Sequence, residues 1–379
     1  MKQRRRRHAR AYLAPLLVLA VIAGAGFYFL GVLERGEPPG PPVGLTGSAG
    51  PKPAAERTAT LPALNLPADD AIHGSGMEWW YYSGILDAQP TGNRYAFHVA
   101  VFVANALVKH TVMQVAMTDL QTGQRYTRQS RTAGLPAQLD KAGFDFRQDG
   151  WQVSGSGPMH SIKTEFDGVE LTLQLRDEHP VVAHRASGSQ TPGLLDFGES
   201  GISYYYSRPR MSATGEVRVG KQASAQALKG TVWFDHQWGD FDVTRLGWNW
   251  LALHLSDGSD VMVYQLFDRE GHGIVTTGTL TRTGASRPLA PGEVSLTPMR
   301  TWTSPRSKIE YAVDWKLQLP TGEHHIQPFF DNSEFDASAS SANIYWEGPV
   351  RVSGSAKGEG FMELSGYERL RPTPAASSK

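Results

Sequence analysis

The chain contains no cysteine, so disulfides, thiolate nucleophiles and thiolate metal ligands are all excluded. Beyond residue 35 it has no long run of apolar residues at helical spacing, which excludes a helix bundle. A G-x-S-x-G elbow, an H-E-x-x-H pair, a Walker A loop and a G-x-G-x-x-G turn after a strand are all missing. With no activated nucleophile in view, hydrolysis is disfavoured. From these patterns neither a cofactor nor a metal is expected. The glycines of "SGSGP" and "KGEGF" read as turn material. Asp240 and Asp242 supply only two carboxylates, too few to define a cation site. There is also no basic stripe. The 37 basic and 37 acidic residues cancel, but the first 35 positions hold seven of the former and one of the latter. The remainder carries 30 basic against 36 acidic side chains, a balance of −6, which argues against nucleic acid as a partner.

What the N-terminus does contain is Lys2, Arg4, Arg5, Arg6, Arg7 and Arg10, followed by 23 uncharged residues from Ala11 to Leu33. As a helix that run is roughly 34 Å long, enough to cross a ~30 Å hydrocarbon core, with the basic flank retained in the cytoplasm. A cleaved signal peptide, with Ala23-Gly24-Ala25 as its exit, is the competing reading. The apolar run continues past that site through "FYFLGVL", which favours an uncleaved anchor over residues 1–35. Residues 36–66, opening with "GEPPGPPVG", form neither helix nor ladder and read as an extended Pro/Gly-rich linker. The last residues, 372–379, read as a tail.

Between these lies a strand-rich chain, with 40 glycines and 24 prolines punctuating it. "KIEYAVDWKLQL" alternates cleanly: Ile309, Tyr311, Val313, Trp315 and Leu317 face one way, while Lys308, Glu310, Asp314 and Lys316 face the other. Many short strands of this kind predict an all-β protein of sandwiches or closed barrels. "EWWYYSGIL" leading to "RYAFHVAVF" is echoed by "WNWLALHLSDG" leading to "DVMVYQLFD", which points to two similar halves with a boundary near residues 240–246. The stretch "GSGMEWWYYSGIL" is unusual. Glu78, Trp80, Tyr82 and Gly84 share one face of a strand, and Trp79, Tyr81, Ser83 and Ile85 share the other, so both faces carry rings. If a second domain packs outside the first, both faces are buried. Rings with polar tips also suit a greasy ligand. In "WFDHQWGD", Asp235 and His236 lie beside two tryptophans, where desolvation moves a pKa toward neutrality and suits proton transfer; capping of a turn at a strand end is the plainer alternative. Glu78 can equally pair with an arginine. His98 and His254, each within an apolar strand, read as core or pocket histidines.

"EWWYYSGIL", "SYYYSRPRM", "GTVWFDHQWG", "WNWLALHLSDG" and "YWEGPVRVSG…GFMELSGY", taken in order, resemble one bacterial family. It is the lipocalin-like family containing carotenoid 1,2-hydratases, AttH-type proteins and sequences labelled secreted hydrolases. The resemblance covers roughly residues 70–370. It implies two tandem lipocalin-like antiparallel β-barrel domains, at 67–243 and 244–371, and a hydrophobic or isoprenoid-like ligand. In the hydratase branch an acid protonates a C=C bond and aromatic faces steady the carbocation until water adds. That branch's His-x-Trp maps onto His236 and Trp238, and its strand tyrosine onto Tyr264. The position where its acid is expected is apolar in "YQLFD", and Asp268 is displaced toward the turn, so Asp235 or Glu78 has to supply the proton. Trp79, Trp80, Tyr82, His98, Tyr205, Trp248, Trp250 and His254 complete the candidate ligand wall. The expectation is an envelope-tethered binder of a hydrophobic small molecule with hydratase-type catalysis. The alternative, implied by AttH-type relatives, is a non-catalytic periplasmic partner of an ABC transporter's permease and ATPase.

Overall fold

The computed structural model describes residues 61–105, 109–134, 143–185, 191–220 and 222–370. The expected anchor, most of the linker and the tail lie outside the described residues. Among these residues no helix is long and apolar enough to cross a membrane.

The described chain is all-β. The first sheet is built from β1 (Met77–Gln89), β2 (Arg94–Asn105), β3 (Lys109–Asp119), β4 (Arg125–Ala133), β5 (Phe144–Gln148) and β6 (Trp151–Ser156). It continues through β7 (Met159–Phe166), β8 (Val169–Asp177), the short β9 (Val182–Ala183) and β10 (Leu194–Asp196), then β11 (Gly201–Val219) and β12 (Gln226–Phe241). The second holds β13 (Gly247–Leu255), β14 (Ser259–Phe267), β15 (Gly273–Arg282), β16 (Ala285–Pro288) and β17 (Ser295–Thr303). It ends with β18 (Glu310–Leu319), β19 (Gly322–Pro328), β20 (Glu334–Asp336), β21 (Ile344–Gly354) and β22 (Gly358–Ser365). A single 3-10 turn, Val243–Arg245, capped by the Asp242 carboxylate, joins the two sheets.

The wiring repeats. In the first sheet the order runs β4-β3-β2-β1-β12-β11, and in the second β16-β15-β14-β13-β22-β21. Each half is a meander whose first strand also pairs with its last. The first sheet closes most of the way into a barrel, and side chains bridge the remaining gap. Gln148 donates to the Ser130 hydroxyl at 2.7 Å, and Arg128 donates to the Glu165 carbonyl at 2.9 Å. The second sheet curves into a half-barrel.

The two faces of β1 explain its composition. Trp80 and Tyr82, both fully buried, join Phe144, Phe146, Trp151 and Phe234 in the core of the first barrel. Tyr81, with Trp79 beside it, belongs to a different apolar cluster, shared with Trp250, Ala252, Met262, Tyr264 and Phe361 of the second half. A strand places successive side chains on opposite faces, so a wall shared by a barrel interior and an inter-barrel interface must carry rings on both. The same holds for β12, whose Phe234 and His236 point inward and whose Trp233 and Asp235 point at the second half. "KIEYAVDWKLQL" forms β18 as its alternation predicts, with Tyr311, Val313, Trp315 and Leu317 in the half-barrel core.

The second half packs closely enough to fix individual residues. At Gly360 on β22, a Cβ would sit 2.0 Å from the Ala252 carbonyl oxygen of β13. Gly360→Ala should therefore lower stability by about 1–3 kcal/mol, seen as a reduced urea midpoint at constant m. Gly273→Ala, where no atom lies within 4 Å, should move it by less than about 0.5 kcal/mol.

Candidate functional site

The sequence-predicted residues divide between two clusters on opposite sides of the shared wall. His236, Trp238 and Glu78 lie on the inner side. His236 Nε2 is 2.8 Å from Glu78 Oε1, and its ring stacks on Trp80 at 4.4 Å between centroids. His73, from the loop before β1, brings Nδ1 to within 2.8 Å of the same Glu78 oxygen and lies flat on Trp238 at 3.9 Å. Burial works to raise the Glu78 pKa, but the bonds from His236 and His73 outweigh it and hold the carboxylate below its ordinary range. The segment carrying His73 is pinned across the barrel. Buried Asp70 accepts from the Tyr206 hydroxyl and the Gly157 N–H, and its carbonyl accepts from the Trp80 indole.

The interior here is filled with rings. Trp80 packs on His236, Phe144 and Phe146, and Tyr82 on Phe234 and His160. Trp80 and Tyr82, expected to wall a ligand chamber, are fully buried against these neighbours, where large side chains complete one another's van der Waals contacts. Two clefts open elsewhere, between the two halves. One, about 540 Å³, is lined by Ser83, Ile85, Trp233, Ala252, His254 and Phe361 among others. Its neighbour, about 440 Å³, shares Arg210 with it.

Asp235, Tyr205, Tyr264, Trp248, Trp250 and His98 lie on the outer side of the wall, in the interface. Asp235 and His236 therefore do not act at one point, since adjacent residues of a strand face opposite ways. Tyr264, on β14 of the second half, is separated from His236 by the shared wall. It pairs with Trp250 across β13 and β14 and packs in the interface cluster. Trp79 sits at the rim against Phe102 and Phe241. His254 lines the larger cleft, its Nδ1 2.7 Å from Asp260 Oδ1. In the apolar stretch after Tyr264, Leu266 is buried in the interface cluster, while Asp268 caps the following turn by accepting from the N–H groups of Glu270 and His272.

Three buried carboxyl groups with raised pKa values lie in the interface, and sequence reasoning missed two of them. Asp235 accepts bonds from Tyr205 (2.8 Å), Trp233 (2.7 Å) and Ser207, yet burial outweighs all three and raises its pKa to about 7. Glu347 and Glu363 stand directly opposite each other on β21 and β22. Burial, reinforced by the carboxyl of Glu363, pushes Glu347 well above the usual carboxylate range. Burial and the charge of Asp235 raise Glu363 to about 7, against the Trp248 indole that holds it down. The Tyr81 hydroxyl donates to Glu347 Oε1 at 2.5 Å, and His98 Nδ1 lies 3.3 Å from that oxygen. Burial and nearby Arg125 push His98 well below its ordinary value, and its Nε2 has no partner among the described residues. Around these groups, Trp250 meets Tyr81 edge-on at 5.3 Å and donates its indole N–H to Tyr205 at 3.0 Å.

Cleft and acids are connected by strand geometry. The cleft-lining Ser83, Trp233, Ala252 and Phe361 each stand two residues from Tyr81, Asp235, Trp250 and Glu363 on the same strand face. Two residues of strand span about 7 Å. The carboxyl cluster is thus one same-face step beyond the cleft wall.

A family profile described as AttH-like matches residues 57–367. Among curated proteins, kievitone hydratase of Fusarium solani subsp. phaseoli is 26% identical over 194 residues, 47% of this chain and 53% of that protein. The alignment thus spans about half the length of that relative. The crystal structure of an AttH-type protein of Nitrosomonas europaea superposes with a TM-score of 0.72 at 28% identity, over 81% of this chain and 98% of the other. Kievitone hydratase from Nectria haematococca superposes at 0.66 and 17% identity, over 81% and 94%, a likeness of fold.

His184 ties the two halves together and generates a pH prediction. Its Nε2 donates to Ser207 at 2.6 Å, whose own hydrogen goes to Asp235, and its Nδ1 accepts from Thr279 of the second half at 2.8 Å. Burial lowers its pKa from 6.5 to about 3. The unfolded chain therefore binds a proton that the folded chain refuses between those values. His184 supports the fold fully above pH 6.5 and progressively less as pH falls toward 3, by up to about 5 kcal/mol. His184→Gln should flatten the dependence of the urea-unfolding free energy on pH between 6.5 and 4 by about one proton, roughly 1.4 kcal/mol per pH unit. Parallel slopes for the two proteins would contradict this.

Proposed function

The chain belongs to the AttH-like family, and from that premise we propose that it is a hydratase, adding water to a C=C bond of a hydrophobic substrate in the interface between its two barrel-like halves. The observation that carries this reading is the Glu347–Glu363 pair, two opposed carboxyl groups raised to or above neutrality and ringed by Tyr81, Trp248 and Trp250. Family membership and the likeness to kievitone hydratase support the reaction class.

A carboxyl group that retains its proton at neutral pH is an acid able to meet an alkene in an apolar place. The substrate enters by the cleft beside Trp233 and Phe361, with its double bond toward Glu363. The O–H bond of the acid breaks, its proton forms a new C–H bond with the π electrons, and the more substituted carbon becomes cationic. The faces of Trp250 and Tyr81 lower the energy of that cation through their quadrupoles. Water forms the C–O bond, and its excess proton returns to the carboxylate. Asp235 and Tyr205 fix Trp233 and Trp250 in place through their hydrogen bonds. Both halves are read as lipocalin-like domains. Residues 1–35 are read as a tether to a membrane, with the folded part on the extracytoplasmic side. A chain that leaves the membrane fraction at alkaline pH would exclude the tether.

The test uses purified full-length chain with kievitone and, separately, an acyclic carotenoid, in water enriched in heavy oxygen. The expected product gains one water carrying the label. Glu363→Gln and Glu347→Gln should each slow the reaction by at least about 100-fold. Because the donor works only while protonated, the wild-type rate should fall as pH rises through about 7. Full activity in the double variant would overturn the assignment. If substrate binds unchanged and no product forms with either compound, the non-catalytic partner of a transporter gains the stronger claim.

A further inference from the structure

The His73–Glu78–His236 cluster takes no part in the proposed hydration, and it brings two imidazole nitrogens and a carboxylate oxygen to within 4.8 Å of one another. His236 is fully enclosed. Its Nδ1 lies 3.3 Å from the Tyr206 hydroxyl, which spends its only hydrogen on Asp70 Oδ1 at 2.5 Å. Nδ1 must therefore carry the ring's N–H, and a neutral imidazole has only one. Nε2 is then left as a lone pair pointing at Glu78 Oε1, 2.8 Å away. His73 brings Nδ1 to 2.8 Å from that same oxygen, while its Nε2 lies 3.6 Å from Asp69 Oδ1, beyond hydrogen-bond reach. A neutral His73 can donate to Glu78, so without a cation the cluster needs one added proton, on the fully buried His236 ring or on Glu78.

We propose that a divalent transition-metal ion, zinc by preference, resolves this arrangement by binding His73 Nδ1, His236 Nε2 and Glu78 Oε1 together. The three donor atoms lie within 4.8 Å of one another, so small rotations bring them to metal-ligand distances. Two imidazole nitrogens and one carboxylate oxygen suit zinc and leave a fourth tetrahedral position for water. Each ligand is already oriented from behind, as ligating histidines usually are. Asp69 faces the far nitrogen of His73, and the Tyr206–Asp70 pair faces that of His236. The His73 backbone N–H holds Glu78 Oε2 at 2.9 Å, which turns Oε1 toward both rings. His73 is half-buried, which opens an entry path from the loop side. Since His73 precedes β1 while His236 lies on β12, the ion would fasten that loop to the barrel wall.

The test is independent of any enzymatic assay. Full-length chain stripped with a chelator is titrated with zinc chloride. Elemental mass spectrometry should find one zinc per chain. The thermal midpoint should rise, and tryptophan fluorescence should change because Trp80 and Trp238 stack on the ligating rings. Glu78→Gln and His73→Ala should each weaken zinc by at least ~100-fold, and Asp69→Asn by about tenfold. His272→Ala, at an exposed turn, should bind as the wild type does. If Glu78→Gln fails to fold, His73→Ala decides, because it removes a loop side chain outside both sheets. Absence of stoichiometric zinc, or undiminished affinity in His73→Ala, overturns the proposal.

Discussion

One constraint governs this molecule: strands β1 and β12 are buried on both faces. One face completes the interior of the first barrel, and the other is covered by the second half. Every polar group on either face must then find a partner within the protein or alter its protonation. On the outer side burial raises Asp235 and Glu363 to about 7 and pushes Glu347 well above the usual carboxylate range. On the inner side the bonds from His236 and His73 outweigh burial and hold Glu78 below its ordinary range. The two chemistries sit back to back across a single thickness of sheet, separated only by the alternation of side chains along a strand.

The same constraint explains the selection of residues. Large rings on both faces supply the apolar area that holds two barrel-like halves together, and their polar tips carry hydrogen bonds through the interface. Tyr81 reaches Glu347, Tyr205 reaches Asp235, and Trp250 reaches Tyr205. Removing any one takes a hydrogen bond from a buried partner. The interface opens at its edge, where Arg94, Arg210 and Lys357 border the larger cleft beside the strand face that carries Glu363.

Much of the architecture was legible in the sequence because strand alternation is a local property. The all-β class, the in-out pattern of β18 and the double-faced "EWWYY" strand could be read directly, and five ordered motifs carried the family. Less of the site could be read. Asp235 and His236 are neighbours in sequence, which suggested a shared role, but the period of two sends them to different compartments. Glu347 and Glu363 left a faint signal as lone acids inside apolar strands of the last motif, and their apposition depends on the β21–β22 register. His73 left none, since it sits in an aperiodic loop and meets His236 only through a contact spanning more than half the folded chain. A metal motif search by spacing fails for the same reason.

The central claim is that carboxyl groups between the two halves are protonated in the resting protein at neutral pH. Infrared difference spectroscopy of full-length chain, titrated from pH 5 to pH 9, observes this directly through the carbonyl stretch of a protonated carboxyl group. The account predicts a buried-acid band at pH 7 that shifts on exchange into deuterated water only slowly and is lost in the Glu347→Gln/Glu363→Gln double variant. A spectrum at pH 7 containing only carboxylate bands, identical in wild type and double variant apart from the residues removed, would contradict it.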